Sequence, residues 1–210
     1  MPQADLLIPE RTRPRTPVVV VTLAAGATLL ALTLGGSPGS DRFYALSLGL
    51  SAVWIVGAFA AGPIPVGRAR SKIRVAGAVV LGAIAFGVFV VGDLLFHLVP
   101  PLHREVDRII DRADTGSLAI VLLIAVVNGI GEELFFRGTL YDALRGRHAL
   151  PGSTLVYVVV TGFAWNAALV VAAAVMGVVW VLERKVSRGV LAPVITHVTW
   201  SVLMILALPR

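Results

Sequence analysis

Cysteine is absent from this sequence. Disulfides, thiolate metal sites and a cysteine nucleophile are therefore excluded, while the compartment is left open. Charge is scarce too: 14% of the 210 residues are Asp, Glu, Lys or Arg, against about 25% in a soluble domain. Acidic residues are the rarer sign, 12 against 18 basic. No internal repeat or low-complexity tract stands out, and no small-residue cleavage site follows the first apolar run, which therefore reads as a retained span.

What fills the chain instead is hydrocarbon. Hydrophobic residues make up 57% of it, and its mean hydropathy is +0.89. They come in blocks too long and too numerous for one soluble core, which predicts an all-α polytopic membrane helix bundle. Residues 1–16 are basic and proline-bearing and read as a disordered cytoplasmic tail. Apolar runs follow at 18–34, 43–61 and 75–98, separated by the turn-rich stretch from Gly35 to Arg42 and a basic connection with Arg68, Arg70, Lys72 and Arg74. Pro100 and Pro101 end the third run, and charges recurring at helical spacing from His103 to Asp114 predict a short surface helix. Residues 17–116 thus form an N-terminal part with three spans and an external connector.

The remainder, 117–210, reads as the functional core with four more spans. One begins near Ser117, runs through Glu132 and Glu133, and continues as a more polar helix to Arg147. The block from Ser153 to Leu182 would be about 45 Å long as one helix, too long for one crossing, so a break is expected near Trp165-Asn166-Ala167. The last span is 190–208. Seven spans put the termini on opposite sides. Arg11, Arg13, Arg15, Arg68, Arg70, Lys72, Arg74, Arg145, Arg147, Arg184, Lys185 and Arg188, twelve of the 18 basic residues, then share the side of the N-terminus. That bias predicts a cytoplasmic N-terminus and an external C-terminus.

Few polar groups lie at membrane depth, where an ionisable side chain marks function by default. Asp93 and His97 fall near the outer end of the third span, where an interface position accounts for them. Asn128, Glu132, Glu133 and Arg137 fall in the fourth span, His197 and Ser201 in the seventh. At 1.5 Å per residue, Glu132 and His197 both sit about 10 Å from the cytoplasmic boundary. Glu133 and Arg137 are four apart with Glu first, the order that favours an ion pair. Glu132 points away from them, on the face of Asn128 and Phe136, and is poised as a general base in a wet cavity open to the cytoplasm. His197 and Ser201, also four apart, can face the same cavity. An internal Glu–Arg–His network that only joins helices is the competing reading.

These residues resemble the CPBP intramembrane proteases, the family of type II CAAX prenyl endopeptidases and bacterial Abi proteins. Its Glu-Glu-x-x-x-Arg motif reads Glu132-Glu133-Leu-Phe-Phe-Arg137, and its closing motif reads Arg188-Gly-Val-Leu-Ala-Pro-Val-Ile-Thr-His197. Two departures stand out. The Phe-x-x-x-His motif expected on the fifth span starts at Phe163, but Ala167 occupies the histidine position and Asn166 the one before it. In the final His-x-x-x-Asn, Ser201 replaces the amide.

The resemblance implies a glutamate-dependent endopeptidase. Glu132 would activate water, His197 would hold that water or the substrate carbonyl, Ser201 would donate to the oxyanion, and Asn166 would supply part of what the missing histidine does. An amide cannot shuttle a proton at neutral pH, so reduced, altered or lost activity is expected. The family label of metalloprotease brings in zinc, which wants about three protein ligands. Only Glu132 and His197 qualify, since His97, His103 and His148 fall at other levels, so no cofactor is expected. The expected partners are membrane lipid and a membrane-associated peptide or protein substrate, not nucleic acid, in a bacterial inner membrane. Two further classes stay open: an impaired homologue that binds peptides in immunity or scaffolding, and a small transporter with a carboxylate relay.

Overall fold

The computed structural model describes residues 14–67, 72–96 and 98–207. Arg11, Arg13, Arg68, Arg70, His97 and Arg210 lie outside the described residues, as do the side chains of Lys72, Arg112 and Asp114. Among the described residues the chain is helical, with no strand. Its helices are α1 (Thr16–Leu34), α2 (Asp41–Ala61), α3 (Lys72–Phe96), α4 (Pro100–Asp114), α5 (Leu118–Glu132), α6 (Tyr141–Leu144), α7 (Ala149–Gly162), α8 (Ala167–Ser187) and α9 (Leu191–Ala207). A π-helical segment, Glu133–Leu140, joins α5 to α6 without a break.

Among the described residues, five segments are long and apolar enough to cross a membrane: α1, α2, 74–96 of α3, the continuous Leu118–Leu144, and α8. The chain is therefore a multi-pass membrane protein. The fifth and seventh expected spans correspond to α7 and α9, of 14 and 17 residues. At 1.5 Å per residue these reach about 21 and 26 Å, short of a bilayer core of roughly 30 Å.

Glycine sets how closely the first helices pack. A side chain at Gly26 would run into the Trp54 ring and one at Gly57 into Thr22, so α1 and α2 approach as small-residue membrane helices do. The expected break in the long apolar block is present. Phe163 to Trp165 turn the chain, Trp165 takes φ 52°, and Asn166 opens α8 by accepting the Leu169 N–H at 2.9 Å. The charged connector is a helix, α4, as its spacing predicts. Its apolar residues Val106, Ile109 and Ile110 turn towards α3, α8 and α9.

An aromatic column runs through the centre. Trp54 of α2 meets Phe135 and Phe136, Phe136 meets Tyr157 of α7, and Tyr157 meets Trp180 of α8, with ring centroids 4.9 to 6.0 Å apart. This column anchors the π-helical segment, seven of whose eight residues are buried.

Candidate active site

The two adjacent glutamates leave the helix in different directions and meet different chemistry. Glu133 is fully buried. Its Oε1 lies 3.2 Å from the Arg137 guanidinium and 3.0 Å from His197 Nδ1. Arg137, also fully buried, sits over the rings of Tyr157 and Trp180, with its Cζ 4.3 and 5.0 Å from their centroids. The expected Glu133–Arg137 pair is thus made, between two charges that burial would otherwise penalise by several kcal/mol each.

Glu132 is half-buried and accepts one hydrogen bond at each oxygen. Asn128 Nδ2 donates to Oε1 at 2.7 Å and the Tyr157 hydroxyl donates to Oε2 at 2.9 Å. Asn128 shares the face of Glu132, as helical spacing predicts. Tyr157 carries no sequence signal beyond being a tyrosine inside an apolar run, where its hydroxyl must find a partner. It touches both halves of the site, with its hydroxyl on Glu132 and its ring beneath Arg137.

The π-helical turn widens the helix where these groups diverge, and such turns recur at functional sites. Neighbouring helices supply donors to its carbonyls: Ser153 Oγ to Phe136 O at 2.8 Å and Arg184 Nε to Arg137 O at 2.7 Å. Arg184 also pairs with Asp142 at 2.7 Å. The turn is thereby held from α7 and α8 at once.

His197 lies flat on Trp180, with centroids 3.8 Å apart and an interplanar angle of 15°. Gly129 lies against the same ring, where a Cβ would make ordinary van der Waals contact with the imidazole at 3.4 Å. A carboxylate can only accept, so in the neutral ring the proton sits on Nδ1 and Nε2 keeps its lone pair. That free edge faces Gly129, three residues before Glu132. His197 is brought beside the glutamates, but its hydrogen bond goes to Glu133 rather than to Glu132.

The other two expected residues lie elsewhere. Asn166 is not brought to Glu132. Its Nδ2 donates to the Glu105 carbonyl at 2.9 Å and to the Glu105 carboxylate at 3.0 Å, while its Oδ1 caps α8. That amide joins α4 to α8 at the far end of α7 from the glutamates. Ser201, one turn beyond His197, lines a chamber of about 420 Å³ among α3, α4, α5, α8 and α9. The chamber is walled almost entirely by apolar side chains such as Phe89, Ile109, Val175 and Trp200, with Asp93 at its edge. Asp93 thus borders this half-open chamber near the end of α3. The chamber lies on α4's side of the glutamates, away from the basic end of α8.

Residues 114–203 match the Rce1-like family of type II CAAX prenyl endopeptidases. The matched stretch holds both glutamates, Asn128, Arg137, Tyr157 and His197, so the Rce1-like region contains the whole constellation. This match agrees with the resemblance carried by the Glu-Glu-x-x-x-Arg motif and supports an intramembrane protease. No curated protein and no solved structure matches the chain. Catalytic zinc requires about three protein ligands, and among the described residues no three His, Cys, Asp or Glu side chains gather as a metal site. Near Glu132 the Rce1-like region offers an amide and a phenol, a donor set that does not fit zinc.

Proposed function

We propose that this protein is an intramembrane endopeptidase whose general base is Glu132. The observation that carries this reading is the contrast between two adjacent carboxylates. Glu133 is sealed and held by Arg137 and His197, whereas Glu132 is half-open and oriented at both oxygens. A water beside Glu132 would give it a proton while attacking the scissile carbonyl carbon. Collapse of the tetrahedral intermediate would then break the C–N bond, and Glu132 would return the proton to the leaving amine. His197, fixed through Nδ1, offers Nε2 to position the water. No metal takes part in this scheme.

The substrate we infer is a membrane-associated peptide or protein, with an apolar part entering the chamber that Ser201 borders. The setting is a bacterial inner membrane crossed seven times, with the basic end of α8 on the cytoplasmic side. Glu132→Gln should lower cleavage by about 10²- to 10⁴-fold, the usual contribution of a positioned acid–base group. Equal cleavage by both forms would overturn the mechanism.

A second reading is favoured by one observation. The position expected to hold the middle-motif histidine, Ala167, begins α8, and the neighbouring Asn166 amide is engaged by Glu105. On that reading the protein binds peptides without cutting them, and any immunity or scaffolding phenotype survives Glu132→Gln.

A further inference from the structure

Away from both glutamates, where α8 ends and α3 and α9 begin, lies a groove of about 770 Å³. Its lining changes character with depth. Arg74 and Arg188, both exposed, border it near the ends of their helices, while Leu81, Val179 and Leu182 line it further in. Nine residues separate Val179 from Arg188, about 14 Å along a helix. That is close to the hydrocarbon depth of one leaflet, half of roughly 30 Å. Gly77 of α3 lines the same groove, and a Cβ built there meets nothing within 4 Å. Packing does not demand glycine at this position; its effect is to leave the groove open.

Glu183 also borders the groove, but its carboxylate turns inward. Oε1 receives the Thr196 hydroxyl at 2.9 Å, and Oε2 is buried with no hydrogen-bond partner among the described residues. Among the groove's described lining residues, the guanidinium-bearing side chains at the mouth are those of Arg74 and Arg188. A basic mouth above an apolar slot between membrane helices complements one kind of molecule. Basic pockets of this sort on the cytoplasmic side recognise anionic headgroups.

We propose that this groove binds an anionic phospholipid, with its phosphate on Arg74 and Arg188 and an acyl chain along Leu81, Val179 and Leu182. A soluble phosphate could satisfy the arginines but would leave the apolar wall uncovered. The site does not depend on the peptidase reading, because none of its groups touches Glu132 or His197.

Native mass spectrometry of the full-length protein, with phosphatidylglycerol and phosphatidylcholine of identical chains, tests the proposal. Phosphatidylglycerol should be retained preferentially, and inorganic phosphate should not displace it. Arg74→Gln and Arg188→Gln should each weaken retention about fivefold, the effect of one basic residue near a membrane surface. Gly77→Leu starts from a Cβ position that meets nothing within 4 Å, puts its side chain into the groove and should abolish retention with the helical circular dichroism unchanged. Equal retention of the two lipids, or loss with Gly77→Leu but not with the arginine variants, would overturn the headgroup assignment. Retention that survives all three variants would overturn the site.

Discussion

A carboxylate that accepts one hydrogen bond at each oxygen still has lone pairs to offer. Glu132 is in that state, between Asn128 and Tyr157. Those two donors fix its plane. Tyr157 is the less obvious of the two, because a tyrosine in the run Leu155 to Val160 reads as packing or as an interface anchor. Helical periodicity gives the face on which a residue lies but not the hydrogen bond its hydroxyl makes across to another helix. Tyr157→Phe keeps the ring under Arg137 and removes one charge-assisted bond, a change of about 1.5–3 kcal/mol. Cleavage per folded molecule should fall about 10- to 100-fold, with the thermal midpoint lowered by the lost bond, measured by a peptide assay alongside a melting curve. Asn166→Ala should act on stability alone. It removes the cap of α8 and the link to Glu105, costs about 1 kcal/mol of stability, and leaves the rate per folded molecule intact.

At the scale of elements, adjacent residues on a helix already point about 100° apart, so the divergence of the two glutamates was legible, whereas the π-helical segment that follows them could not be read from the sequence. Glu133 and Arg137 stand four apart whether the turn is α or π, so their pairing is legible while the widened turn is not. Spacing and level put His197 near the glutamates, but they do not choose between neighbouring carboxylates. The stacking of its ring on Trp180 orients Nδ1 towards Glu133. The break before α8 was legible, because one helix from Ser153 to Leu182 would overrun the bilayer and Asn166 is a good cap. The Glu133–Arg137 pair should hold the element together. Arg137→Met leaves a buried carboxylate with His197 as its remaining partner and should cost about 3–5 kcal/mol. A lower melting midpoint and a reduced folded yield in detergent would report it, and a midpoint unchanged from wild type would show that the pair is not structural.

For the whole molecule, long apolar blocks separated by Pro, Gly and charge made the helical membrane architecture readable from composition alone. The path of the two shorter helices depends on packing, which composition does not carry. Because cysteine is absent, single-cysteine labelling can follow that path without background. Arg147→Cys and Trp165→Cys flank α7 and should label from opposite faces of the membrane, with Trp165→Cys reached by an impermeant maleimide in intact cells. Labelling of both from one face would mean that α7 does not cross. The central claim is hydrolysis by Glu132, and the most direct test is cleavage of lipid-anchored peptides by the purified protein in liposomes, read by mass spectrometry in ¹⁸O-labelled water. Wild type should place ¹⁸O in a new peptide carboxylate and Glu132→Gln should not; equal incorporation by both proteins would contradict the account.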